Sequence, residues 1–214
     1  MISSMSNQKI VLATGNPGKI NELTSLCSEW PIEVSALEYP VEVDECGLSF
    51  LENALLKARA YAREADTMAL ADDSGLVIDA LSGAPGIHSA RYAGPACSSK
   101  DNIAHVLKQL RDLPKPWTAR FVCVLVLCEH ANDPDPWIAR ASWEGEITDQ
   151  PKGLLNFGYD PIFVPAHHNL TAAELMPEVK NRYSHRFQAT RKLTQILLKN
   201  DFFIRHMTKE LKGK

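Results

Sequence analysis

Apolar residues in this chain fall into short unbroken runs and helical stripes, and the two patterns alternate from the start. Lys9-Ile-Val-Leu-Ala-Thr14 is an apolar run that stops at Gly15-Asn16-Pro17-Gly18, as expected of a strand entering a turn. Ile20, Leu23, Leu26, Cys27 and Trp30 recur at helical spacing and predict an amphipathic helix ended by Pro31. Residues 32–37 alternate and read as a second strand. Ser49 and Glu52 form an S-x-x-E capping box ahead of Ala54, Leu55, Ala58, Tyr61 and Ala62, which places a second helix. Thr67-Met-Ala-Leu-Ala71 is a buried strand that runs into Asp72-Asp73-Ser74-Gly75. Residues 76–81 continue as a strand, followed by a Gly/Pro-rich loop over 82–95.

Further along, Ile103, Val106, Leu107 and Leu110 mark one face of a helix spanning 98–113. Two long strands, 118–129 and 137–147, are expected to pair antiparallel across the Asn132-Asp-Pro turn. An irregular segment, 148–165, holds Asn156-Phe-Gly-Tyr-Asp-Pro161. Thr171 and Glu174 read as another capping box, and Ser184 begins a last helix with Leu193, Ile196 and Leu197 inward. The mixture predicts an α/β fold.

Length and charge narrow the picture. With 214 residues, no repeat and no linker, residues 9–200 read as a single domain. Residues 1–8 are expected to be a disordered polar extension and 201–214 a C-terminal tail. A net charge of −3 argues against a nucleic-acid polymer as partner, which requires clustered positive charge. No apolar run approaches the roughly 18 residues of a membrane span. The five cysteines show no metal-binding spacing, and their odd number suits a reducing, cytoplasmic setting. Cys123 and Cys128 read as core residues of a strand.

Three segments carry candidate chemistry. Thr14-Gly-Asn-Pro-Gly-Lys19 joins a strand to a helix start, where glycines and free N–H groups favour an anion. Lys19 in that first turn opposes the helix dipole, which makes sense if a bound anion compensates it. A plain turn with an exposed lysine is the alternative. A P-loop would need Gly at 13 and Ser or Thr at 20, where Ala13 and Ile20 stand.

Asp72-Asp73-Ser74-Gly75 puts two carboxylates side by side, which repel unless a cation or donors absorb the charge. Mg²⁺ uses one or two protein carboxylates plus phosphates, and Glu45 is a candidate second ligand. The alternative is a solvated turn. Asn53 and Lys57 share a helical face, and Lys57 is either a second phosphate cation or a solvated helix residue. In the third segment, Phe157-Gly-Tyr-Asp160 with Lys180, His185 and Arg186 combines aromatics for stacking on a base with cations at a helix start. Core packing and a surface salt bridge are the competing reading.

Taken together, Ala13-Thr-Gly-Asn16, Lys19, Glu52-Asn-Ala54, Ala71-Asp-Asp-Ser-Gly75, Gly83-Ala-Pro-Gly86, Ser89-Ala-Arg-Tyr92, Phe157-Gly-Tyr-Asp-Pro161 and Ser184-His-Arg186 resemble the inosine/xanthosine triphosphate pyrophosphatase family. The resemblance runs from about Lys9 to Leu198. It implies an elongated mixed-sheet α/β fold with two lobes flanking a central nucleotide-binding cleft, and a homodimer. It also implies Mg²⁺-dependent hydrolysis of non-canonical purine triphosphates (ITP, dITP, XTP) to monophosphate and pyrophosphate.

Carried over by position, Thr14, Gly15, Asn16, Pro17, Gly18 and Lys19 would hold the triphosphate. Glu45 and Asp73 would bind Mg²⁺, with Asp73, or Asp72 beside it, accepting the proton of the attacking water. Ser74, Phe157, Gly158, Tyr159, Asp160, Lys180, His185 and Arg186 would contact substrate. This chain departs from the family at Leu154-Leu-Asn156, at His88 and in its longer C-terminal tail. A pyrophosphatase for pyrimidine or modified-base triphosphates and a non-catalytic nucleotide sensor are the rival readings.

Overall fold

The computed structural model describes residues 9–153 and 158–207. Six strands in these residues form one mixed sheet in the order β2-β1-β3-β4-β5-β6. They are β1 (Lys9–Leu12), β2 (Glu33–Ala36), β3 (Met68–Ile78), β4 (Thr118–Cys128), β5 (Trp137–Ile147) and β6 (Phe163–Pro165). β1 runs parallel to both β2 and β3, and β6 is antiparallel to β5. The helices are α1 (Pro17–Leu26), α2 (Phe50–Ala65), α3 (Ser99–Leu110), α4 (Pro177–Tyr183), α5 (His185–Lys199) and α6 (Phe202–Met207).

The described residues divide into two compact units. The first comprises 9–73, 124–140 and 189–207, and the second 74–123, 141–153 and 158–188. In the first, Ile10, Val11 and Leu12 are all buried, because β1 has a neighbour on each side and both faces are covered. On α2 the buried positions are Asn53, Ala54, Lys57, Ala58, Tyr61 and Ala62, a stripe at helical spacing that includes two polar side chains. Cys123 and Cys128, expected in the core, are both buried. The second unit packs Leu76, Ile103, Trp117, Phe121, Trp143 and Phe163 among others into its own core.

Five expectations are corrected. The solvated turn that Asp72-Asp73-Ser74-Gly75 also allowed does not form, because β3 runs through the segment as a single strand of 11 residues. Local turn propensity yields there to burial, and ion pairs to lysines from other elements absorb the charge. Thr171 and Glu174 bond to each other as a capping box would, with the Thr171 N–H donating to Glu174 Oε2 at 2.8 Å. No helix follows until Pro177, so the pair closes a turn instead. The first helix stops at Leu26, leaving Trp30 outside it, where its indole N–H donates to Thr194 at 3.0 Å. The end of the segment expected to be irregular forms β6. A further helix, α6, follows α5 and buries Phe202 and Phe203.

Candidate active site

In the first unit, α1, α2, β3 and the 45–47 loop bring two lysines and three carboxylates together. Lys57 lies on the buried stripe of α2, and its ammonium reaches three oxygens: Asp73 Oδ1 at 2.7 Å, the Asp72 carbonyl at 2.9 Å and Glu45 Oε1 at 3.0 Å. An ammonium has three N–H bonds, so in this arrangement all are directed at protein. Lys57 is buried among these oxygens, so it is not the solvated helix residue that the sequence also allowed. Burial by itself would lower the Lys57 pKa, but the charges and hydrogen bonds of Asp73 and Glu45 outweigh it and hold the pKa above its usual range. Burial pushes the Asp73 carboxyl up from its ordinary value, with the attraction of Lys57 acting in the opposite direction.

Lys19 stands at the third position of α1 and pairs with Asp72 Oδ1 at 2.5 Å. The anion that compensates this helix-start cation is therefore in the protein. Asp72 is fully buried, whereas the Lys19 side chain keeps 16% of its surface exposed. Asn16 caps the same helix, its Oδ1 accepting from the N–H groups of Gly18 at 2.9 Å and Lys19 at 3.3 Å. Those two donors, expected to be free for an anion, are occupied by the cap. Thr14 Oγ1 accepts from the Asn16 N–H at 3.1 Å, and Gly15 and Pro17 are exposed.

Asp73 Oδ2 is buried and has no hydrogen-bond partner among the described residues. An acceptor oxygen left that way fits a cation. No group of three or more His, Cys, Asp and Glu side chains among the described residues is set to hold a metal ion. Two carboxylates completed by substrate phosphates still match the way Mg²⁺ is bound in nucleotide enzymes.

In the second unit, Ser74 follows Asp73 directly on β3, and its hydroxyl accepts from Arg186 at 3.0 Å. Arg186 is 2% exposed, which excludes the surface salt bridge that its sequence also allowed. Lys180 pairs with buried Asp160 at 2.5 Å. Gly158 has a φ of +56°, a left-handed conformation that a side chain would strain. Tyr159, expected to stack on a base, is buried, and its hydroxyl donates to the Ser89 carbonyl at 2.8 Å. Its ring belongs to the core. Phe157 lies outside the described residues.

The family model described as Ham1 family matches residues 10–196. The chain belongs to the Ham1 family. Its likeness to curated Ham1-type relatives extends over nearly the full chain. The dITP/XTP pyrophosphatase of Pectobacterium atrosepticum is 50% identical over 193 residues, covering 89% of this chain and 98% of the relative. That of Shewanella oneidensis is 48% identical, covering 85% and 90%. Among solved structures, a HAM1 protein from Coxiella burnetii superposes with a TM-score of 0.84 at 43% identity, covering 90% of this chain and 99% of that one. The Staphylococcus aureus Ham1 protein gives 0.79 at 37% identity, covering 91% and 100%.

Two supporting residues in this Ham1-family chain had weak signals in the sequence. Asn53 is fully buried, and its Oδ1 accepts from the Gly47 N–H at 2.8 Å, two residues beyond Glu45. A side chain at Gly47 would collide with Asn53, so the glycine permits the close approach. The signal was a polar residue, like Lys57 four positions on, in a largely apolar helix stripe. Ser89 accepts from the Leu76 N–H at 2.9 Å and donates to the Gly86 carbonyl at 2.6 Å, and its carbonyl receives Tyr159. The signal at Ser89 was its place in the Ser89-Ala-Arg-Tyr92 motif.

Proposed function

We propose that this protein hydrolyses non-canonical purine nucleoside triphosphates, of the inosine and xanthosine type, to the monophosphate and pyrophosphate. The observation that carries the reading is the kinship with dITP/XTP pyrophosphatases at 50% identity over 89% of the chain. The buried group of Lys57, Asp73 and Glu45 supports it, because paired carboxylates at a phosphate end suit hydrolysis better than mere sensing.

Glu45 and Asp73 are the residues that would hold Mg²⁺, which when bound neutralises phosphate charge and favours departure of pyrophosphate. Asp73 accepts the proton of the water that attacks the α-phosphorus. Burial raises its pKa from the ordinary carboxylate value, which makes it a stronger base. Lys57 keeps the two carboxylates together, and Asp72 holds Lys19, whose partly exposed side chain faces the phosphates in this reading. The Thr14–Lys19 turn receives the remaining phosphate oxygens.

Ser74, Gly158, Asp160, Lys180, His185 and Arg186 serve the nucleoside, together with Phe157. Inosine and xanthosine carry a carbonyl at purine position 6, where adenosine carries an amine. Arg186 is a donor only, so an adenine amine would meet a donor with no acceptor. A site built on such hydrogen bonds discriminates by roughly 10⁴-fold. In the same reading the enzyme is a cytoplasmic homodimer, with an odd number of cysteines, five, suited to a reducing compartment.

The experiment is a panel of ITP, dITP, XTP, ATP and GTP with Mg²⁺, assaying both products. Monophosphate and pyrophosphate from the 6-oxo non-canonical substrates are expected, with ATP and GTP spared. Diphosphate and phosphate as products, or ATP cleaved as readily as ITP, would contradict the reading. Sedimentation equilibrium checks the dimer.

A further inference from the structure

The imidazole of His185 lies flat against Phe121 in the second unit, with ring centroids 4.9 Å apart and an interplanar angle of 12°. Phe121 belongs to the buried run of β4, and it is itself held edge-on by Phe163 at 4.7 Å and 65°. Phe163 in turn meets Trp143 at 5.4 Å and 60°. His185 is thus the outer member of a column of four rings, and the other three belong to the core.

The column bears on recognition through the geometry of an imidazole. Both ring nitrogens direct their hydrogen bonds in the ring plane, and such bonds weaken steeply when donor and acceptor go out of line. The terminal torsion of a histidine is broad, so the side chain by itself does not fix that plane. A flat partner does. Arg186, the next residue, is tied separately to Ser74 on β3, so consecutive recognition residues are oriented by two different strands.

We infer that Phe121 is a positioning residue for base recognition: by stacking on His185 it sets the imidazole plane, and selectivity for 6-oxo over 6-amino purines passes through it. The inference rests on the assignment of His185 to the base.

The test compares wild type, Phe121→Leu, His185→Ala and the double variant. It measures kcat and KM for inosine triphosphate and ATP, together with NMR of the His185 ring protons. Phe121→Leu is expected to raise KM for inosine triphosphate about tenfold, the worth of one misaligned hydrogen bond, with kcat within about twofold. The selectivity ratio should fall toward that of His185→Ala, and the double variant should show no further loss. Loss of the Phe121 ring current should shift the His185 ring protons downfield. Phe121→Tyr keeps the ring face and should retain wild-type selectivity. Phe121→Met, also without a ring, replaces the leucine variant if that one does not fold.

Unchanged selectivity in the ringless variant overturns the inference. If His185→Ala loses selectivity while Phe121→Leu keeps it, only the positioning role fails. If both keep it, the assignment of His185 to the base fails as well. An equal fall in kcat for both nucleotides also overturns the inference, because Phe121 would then be supporting only the fold.

Discussion

Lys57 donates to Asp73 at 2.7 Å, and both side chains are more than nine-tenths buried. Removing one member of such a pair leaves a charge in a poorly solvating place, at a cost of about 3–5 kcal/mol. Lys57→Met is expected near the lower end, because Glu45, its other carboxylate partner, keeps 28% of its side chain exposed. Urea denaturation measures the loss. Lys57→Met/Asp73→Asn should recover part of it, and a Lys57→Met protein as stable as wild type would contradict the pairing.

Asp73→Asn keeps the size of the side chain and removes its charge and basicity. Turnover should fall at least about a hundredfold, the contribution of a lost general base. Circular dichroism should show the fold retained. Glu45→Gln should act differently, raising the Mg²⁺ concentration needed for half-maximal rate. Near-normal turnover of Asp73→Asn at saturating Mg²⁺ would remove Asp73 from the mechanism.

The helix dipole alone predicts that Lys19→Ala would leave stability unchanged or improve it. The pairing with fully buried Asp72 at 2.5 Å reverses that sign. Loss of a hydrogen bond to a charged group costs about 1.5–3 kcal/mol, more than the 0.3–1 kcal/mol gained from the dipole. Lys19→Ala should therefore melt earlier than wild type and hydrolyse more slowly. Lys19→Arg should restore most of the stability.

A pH effect is expected at Asp79, where the Thr118 hydroxyl donates at 2.7 Å and Arg120 at 2.8 Å. The hydrogen bond from Thr118, and then that from Arg120, hold the Asp79 carboxyl below its ordinary pKa. A group depressed in the folded state stabilises above its unfolded pKa, about 3.9, and that stability is lost as pH falls through the folded value. Asp79→Asn should therefore flatten the stability curve below about pH 4. The side chain is 53% exposed, so solvent and salt screen the effect and added salt should shrink it further. A steeper acid limb in the variant would contradict the assignment.

Where one stretch of chain carries its own reason, the sequence was a sufficient guide. The Ser49–Glu52 cap, the apolar run of β1, the α2 stripe and the Asp-Asp pair all announce themselves within a few residues. Asp72-Asp73-Ser74-Gly75 misled, because turn propensity is local while the charges that keep it a strand come from Lys19 and Lys57 on two helices. Tyr159 was ambiguous: an aromatic beside a glycine suits base stacking or core packing alike until its hydroxyl is found on Ser89, 70 residues away.

Phe121 gave no sign at all. An apolar residue in a buried strand has the same local pattern whether it only fills the core or also orients a recognition ring. Residue types and their order along the chain were therefore enough to determine most of the elements, the chemistry available and the family. Which lysine meets which carboxylate, and which ring supports His185, was decided only by tertiary structure, because those partners lie far apart in the chain and no short-range preference links them.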